Sequence, residues 1–203
     1  DSFGSALKVA HRIGPMAILL GDIQHNGLNV TDHPFNTYKP WHRNRVDISH
    51  SRILLHFPEH FLIVLDSLNS PDEHSYIQWF HFAPDLDLNE SDEDVFHCVD
   101  GEGVELCSLR TITSNNDSVR AHGQTDPILQ GWTGMDGSSL EPSHAVGFRS
   151  TGSQLWLGAM LTLGSSRGAE TTLTTTDEGF TVEVKSDSDP IKIEYRRLKE
   201  SIL

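Results

Sequence analysis

The sequence predicts an all-β protein, a large antiparallel β-sandwich of two or more packed sheets, and three observations carry that prediction. Residues 51–84 (SRILLHFPEHFLIVLDSLNSPDEHSYIQWFHFAP) hold two apolar runs, 53–57 and 61–65, split only by Pro58-Glu59-His60. Runs this short, rich in Ile, Val, Leu and Phe and broken by proline, suit strands buried on both faces. Strict alternation recurs elsewhere: Leu155, Leu157, Ala159, Leu161 and Leu163 share one face, with Gln154, Trp156, Gly158, Met160 and Thr162 on the other. No stretch sustains the 3.6-residue period of an amphipathic helix.

In chain order, residues 16–20 after Gly14-Pro15 read as a strand, and the polar, His- and Asn-rich 22–45 as a long loop. Residues 46–82 read as a β-meander whose second turn is Asn69-Ser70-Pro71-Asp72. Its third strand sets Tyr76, Gln78, Phe80 and Phe82 against Ile77, Trp79 and His81. Residues 84–94 (PDLDLNESDED) form an acidic, solvated connector. The spacing of Asp85, Asp87 and Asn89 is that of a calcium loop, but the glycine and distal glutamate are absent in register. A hairpin is expected around Asp100-Gly101-Glu102-Gly103, followed by polar loop at 114–126 and a glycine-rich stretch at 130–142 containing Gly131-Trp132. Residues 144–149 and 154–163 read as two strands, and two more, alternating at Phe180, Val182, Val184 and at Ile191, Ile193, Tyr195, close the chain. The RRLKESIL tail suits one turn of helix. The expected core includes Ile63, Leu65, Phe80, Leu155, Leu157 and Leu161.

At 203 residues, 1–203 reads as a single β-sandwich domain. Lys+Arg number 15 against Asp+Glu 29, a net charge of −14. That balance argues against nucleic acid as a partner, because phosphate binding needs a basic surface. No apolar run reaches the ~20 residues of a membrane span. The chain starts at Asp1 with no leader-like segment, so its beginning is expected upstream. Cys98 and Cys107 face each other if Glu102-Gly103 is the hairpin tip and miss if Asp100-Gly101 is; two unpaired, half-buried thiols is the simpler reading.

Among side chains suited to chemistry, Trp41 and Trp132 lie in loop-like Gly- and Pro-rich contexts, where an indole face can stack on a sugar ring, whereas Trp79 and Trp156 read as core. His25 lies in the polar loop near Asp22 and Asp32, with His33 and His42 able to fold back beside it. His81 reads as a half-core histidine.

Several segments, in this order, resemble the heparinase II/III-like polysaccharide lyases. HNGLNV (His25, Asn26, Leu28, Val30, with Asp32 behind) is similar to the family's HN-x-hydrophobic-x-Val-Asp segment. SRILLHFPEHFLIVLDSL resembles the strand pair that follows, in which a basic residue leads into a run ending in Asp. WFHFAPD, GWTGMDGSSLEPSHAVGF and LWLGAMLTLG resemble its later strands and glycine-tryptophan segment, so the likeness spans roughly residues 20–165. It implies the C-terminal β-region of such an enzyme, without the N-terminal α/α-toroid. It also implies β-elimination of an acidic, uronate-containing polysaccharide, with most catalytic side chains on the toroid. A divalent metal such as zinc is implied at the histidine of the HN pair, which places His25 as a ligand and Asp22 as the nearest carboxylate. The location implied is periplasmic or secreted. The competing expectation is a non-catalytic carbohydrate-binding or structural β-sandwich module.

Overall fold

The computed structural model describes residues 5–26, 47–91, 95–114, 116–134, 139–163, 169–176, 179–185 and 190–196. Fourteen strands and no helix occur among them: β1 (Ser5–Ile13), β2 (Met16–Asn26), β3 (Asp47–Phe57), β4 (Phe61–His81), β5 (Asp87–Glu90), β6 (Val95–Val99), β7 (Glu105–Thr111), β8 (Asp117–His122), β9 (Trp132–Gly134), β10 (Leu140–Pro142), β11 (His144–Leu163), β12 (Glu170–Thr176), β13 (Gly179–Lys185) and β14 (Ile191–Arg196). The all-β, antiparallel prediction holds. A nine-stranded sheet runs β1-β2-β3-β4-β11-β7-β6-β5, with β8 also paired to β11; β12-β13-β14 form a second sheet and β9-β10 a third.

The large sheet is organised by two very long strands. β4 and β11 pair from Ala145↔His81 to Thr162↔Phe61, with one irregularity where Asn69↔Gln154 gives way to His74↔Gly152. Four β4 residues (70–73) there oppose Ser153 alone. Pro71 donates no ladder bond, and the Ser70 hydroxyl bonds Tyr76 Oη at 3.0 Å and Ser153 O at 3.4 Å. The ribbon folds back at this point. Gln78 Nε2 lies 2.8 Å from Asp66 Oδ2, twelve residues earlier on the same strand. A straight strand would separate them by about 40 Å.

Folding back creates two cores, one on each face of the distal half of β11. On one face Met160 and Trp156 join Ile53, Leu55, Ile63 and Leu65 beneath Phe180, Val182, Val184 and Ile193 of the β12–β14 sheet. On the other, Ala159 and Leu161 join Phe96, Cys98, Cys107 and Leu109 of β6–β7 beneath Phe80, Val146 and Phe148 from the returning half of the ribbon. The amphipathic face of residues 154–162 thus covers a second layer, as its alternation allowed.

Several expectations are corrected. The polar residues 69–72 bend one strand rather than end it, so the third meander strand is the far half of β4; likewise 144–149 and 154–163 are one strand. Local turn chemistry misled here because β11 pairs on both sides of the bend and carries the ladder across it. Residues 5–13 form a strand, and Gly14-Pro15 is the two-residue hairpin turn to β2, with Gly14 at φ +58°. The loops expected at 22–45, 84–94 and 114–126 contain the end of β2, β5 and β8. Asp87 and Asn89 therefore lie on an edge strand rather than in a calcium loop. Leu155, Leu161 and Phe80 are half-buried, whereas Ile63, Leu65 and Leu157 are fully buried. The RRLKESIL tail lies outside the described residues beyond Arg196.

Gly147 shows how tightly the returning half is packed. A Cβ there would sit 2.6 Å from Ile77 Cγ2 and 2.9 Å from both Trp79 Cε3 and Val119 Cγ2, so Trp79 and Ile77 lie over a glycine flanked by β4 and β8. Gly147→Ala should lower unfolding free energy by about 1–3 kcal/mol in urea titration, whereas a change under 0.5 kcal/mol, roughly the surface-substitution range, would contradict this packing.

Candidate functional site

The most chemically loaded described position is Asp66, on β4 opposite Arg52 of β3. Its side chain is 3% exposed. Arg52 grips it through two parallel bonds, Nε to Oδ1 at 2.7 Å and the terminal nitrogen to Oδ2 at 2.8 Å. His50 Nε2 stands 2.9 Å from Oδ1 and must donate, since an ionised carboxylate only accepts. Gln78 Nε2 completes the set on Oδ2 at 2.8 Å.

Burial alone would push the Asp66 carboxyl up. The hydrogen bonds and charges of Arg52 and His50 outweigh it and hold the group down at about 2. A carboxylate so fully engaged is no general base. Its role is to orient His50 and Arg52 and to tie the returning half of β4, through Gln78, to the β3–β4 pair. The stabilisation is complete above the 3.8 of an unpaired carboxyl and is lost as pH falls toward 2.

A second cluster joins β5, β8 and β11. His122 and His144 stack with ring centroids 4.3 Å apart, His144 Nε2 lies 3.7 Å from Asp87, and Arg120 pairs with Glu90 while covering the Phe96 ring. Burial first, then the neighbouring His122, pulls the His144 value down from its usual 6.5. A depressed imidazole contributes stability at pH above 6.5 that is lost as pH falls below it.

Of the residues nominated from sequence, His25 and Asp22 both lie on β2. Backbone register sets His25 opposite Ile48 and Asp22 opposite Ser51, and His50 opposite Ile23. His25 is thus two register rows from His50 on the neighbouring strand, near the end of β2 rather than in a loop. Trp41, Asp32, His33 and His42 lie outside the described residues. No group of three or more His, Cys, Asp or Glu suited to a metal occurs among the described residues.

Trp132 is half-buried on β9. Its Nε1 donates to Gln124 O at 2.9 Å, and Gly131 (φ +73°) precedes it where a Cβ would meet the Ala121 backbone at 2.8 Å. The Gly-Trp pair therefore anchors the β9–β10 corner, leaving part of the ring accessible. His81 is exposed rather than half-core, and its Nε2 accepts from Gln130 Nε2 at 3.3 Å. The Asp66 cluster was missed as a site, although Gln78 in an apolar row (Tyr76, Phe80, Phe82) was its visible signal.

Asp66→Asn should cost about 3 kcal/mol at pH 7, because it breaks a buried pair, and should flatten the loss of stability between pH 4 and 2, roughly 2 kcal/mol in the parent chain. Chemical denaturation at pH 7 and pH 3 measures both; an unchanged acid limb in the variant would show that Asp66 is not its source. His144→Gln should remove a smaller loss of stability between about pH 7 and 5, read in the same way.

No family model matches the chain, and no curated protein matches it. Solved structures do. A heparinase III superposes with a TM-score of 0.63 at 12% identity, covering 95% of this chain and 27% of that one. The heparan sulfate lyase HepC from Pedobacter heparinus gives a TM-score of 0.63 at 7% identity, covering 95% and 28%. A further heparinase III structure gives 0.63 at 10%, covering 95% and 27%. The chain therefore spans little more than a quarter of the length of these proteins, and it has the β-fold found in that portion of heparinase III.

Proposed function

We propose that the chain is the C-terminal β-sandwich region of a heparinase II/III-like polysaccharide lyase. In this reading it packs against an N-terminal helical toroid of the same protein and supplies one wall of the cleft for an acidic polysaccharide. The observation that carries the proposal is the extent of the structural match: 95% of this chain superposes on heparinase III and heparan sulfate lyase chains, leaving almost nothing unaccounted for. The order of the HN, strand-pair and glycine-tryptophan segments supports it from the sequence side. A periplasmic or secreted location goes with the reading.

β-Elimination needs a base for the C5 proton, a group that neutralises the uronate carboxylate, and an acid for the leaving oxygen. Most of these are assigned to the toroid. From this chain His25 is assigned to the cleft wall, with Trp41 and the accessible part of Trp132 as sugar-stacking surfaces. His25 is a donor type that zinc takes. Asp22, three positions away on the same unbroken strand, falls on the opposite face of the sheet, so zinc at His25 would need other ligands, from His33, His42 or the toroid, and would supply charge and rigidity there. Histidine oriented through its second ring nitrogen is the arrangement that such a site requires.

The isolated chain should release no unsaturated product, read by ultraviolet absorbance, from heparan sulfate or alginate; turnover by the chain alone would overturn the assignment of the chemistry to another domain. In the toroid-bearing protein, His25→Ala should lower activity by a factor on the order of 10–100, as loss of a group that holds a metal site in place does. Elemental analysis should find zinc, lost in that variant. Full activity of His25→Ala, with sugar binding retained, would favour the non-catalytic carbohydrate-binding module instead.

A further inference from the structure

Cys98 and Cys107 face each other on adjacent antiparallel strands, at a register the sequence left open. The β6–β7 turn closes at 100–103, where Gly103 N donates to Asp100 O at 2.9 Å and Asp100 Oδ1 accepts from Glu102 N at 3.0 Å and Val104 N at 2.8 Å. That tip alone would carry Val99↔Glu105 on to Cys98↔Leu106. A bulge between Cys98 and Val99 shifts the register by one, and the partners are Cys98↔Cys107. Directly opposed antiparallel residues have Cα atoms about 4.5–5.5 Å apart, inside the range of about 4.4–6.8 Å that a disulfide needs. Both thiols are buried, Cys98 1% exposed and Cys107 9%. They sit in the core beside Phe96 and beneath Val146 and Phe148.

The geometry points to a cross-strand disulfide between Cys98 and Cys107, closed while the chain folds and then sealed in the core. The oxidant is another disulfide, such as oxidised glutathione or an oxidised protein dithiol. A thiolate of the pair attacks it and expels one thiol; the second cysteine attacks the mixed disulfide and expels the other. The pair loses two protons and two electrons, and the oxidant becomes two thiols. Burial, aided by the neighbouring Cys107, pushes the Cys98 thiol up to about 12, and with both sulfurs buried the folded protein offers almost no Cys98 thiolate and no open path to an oxidant. Timing follows from this. The unfolded chain can be oxidised, while the native protein keeps whichever state it folded into. The bond would staple β6 to β7 beside β5, one edge of the nine-stranded sheet. It would persist in an oxidising compartment. This inference does not depend on the lyase reading.

The experiment refolds the reduced, denatured chain in a glutathione redox buffer. Intact mass and alkylation in denaturant then read the thiols. The expected product is monomeric, lighter by two hydrogens than the reduced protein, unalkylated until reductant is added, and raised in Tm by roughly 5 °C over the reduced form. Native reduced protein in the same buffer should keep both thiols over the refolding time. Two free thiols after refolding, glutathione adducts or disulfide-linked dimers would overturn the pairing. Equally fast oxidation of the native reduced protein would overturn its sealing by the fold.

Discussion

The fold depends on one buried carboxylate. Asp66 accepts from Arg52 and His50 on the adjacent strand and from Gln78 on the returning half of its own strand. An isolated buried charge is too costly to keep, and only a full set of donors makes it tolerable. The donors come together only if β4 and β11 fold back at 70–73, so the polar demand of one side chain and the bend in the ribbon are mutually dependent. Apolar burial favours many foldings of a long ribbon. The carboxylate selects one, because any slip of the returning half withdraws Gln78.

Once the ribbon is folded, the rest of the molecule follows. The distal half of β11 acquires an apolar row on each face, Ala159 and Leu161 on one and Trp156 and Met160 on the other. Each row needs a cover: the β12–β14 sheet lies over one, and the returning ribbon with β8 over the other. The Cys98–Cys107 hairpin lies under the second cover, which explains why its thiols are buried although β6 and β7 approach the sheet edge.

Much of this was legible in the sequence, for physical reasons. The strands centred on 53–65 and 154–163 announce themselves because they are buried on both faces and therefore apolar throughout or sharply alternating. The longer strands that were missed, at 5–13, 87–90, 117–122 and 170–176, are mostly exposed or half-exposed and rich in charged residues and threonine, so hydrophobic period carries little signal in them. The missed three-residue strands 132–134 and 140–142 are too short to show a period. The bend was misread because Ser70 and Pro71 are turn formers locally, while the pairing that overrides them comes from residues some 80 positions away. At the site, His25 stood out only through its HN neighbour. Arg52 and Asp66 were visible as the basic residue and the aspartate bracketing an apolar strand pair, yet nothing local joined them to His50 or Gln78. The fold similarity to heparinase III and heparan sulfate lyase structures at 7–12% identity fits the same view, since a fold tolerates extensive replacement of individual side chains.

The most direct measurement of the folded ribbon is the proton NMR spectrum of the chain labelled with nitrogen-15. Gln78 Nε2 stands 2.8 Å from Asp66 Oδ2 and 3.4 Å from Val64 O. The account predicts nuclear Overhauser cross-peaks from the Gln78 side-chain amide protons to backbone protons of Val64 and Leu65. In a straight β4 those groups would be about 40 Å apart; absence of the cross-peaks, with the Gln78 amide resolved and its neighbours assigned, would contradict the fold-back and the role given to Asp66.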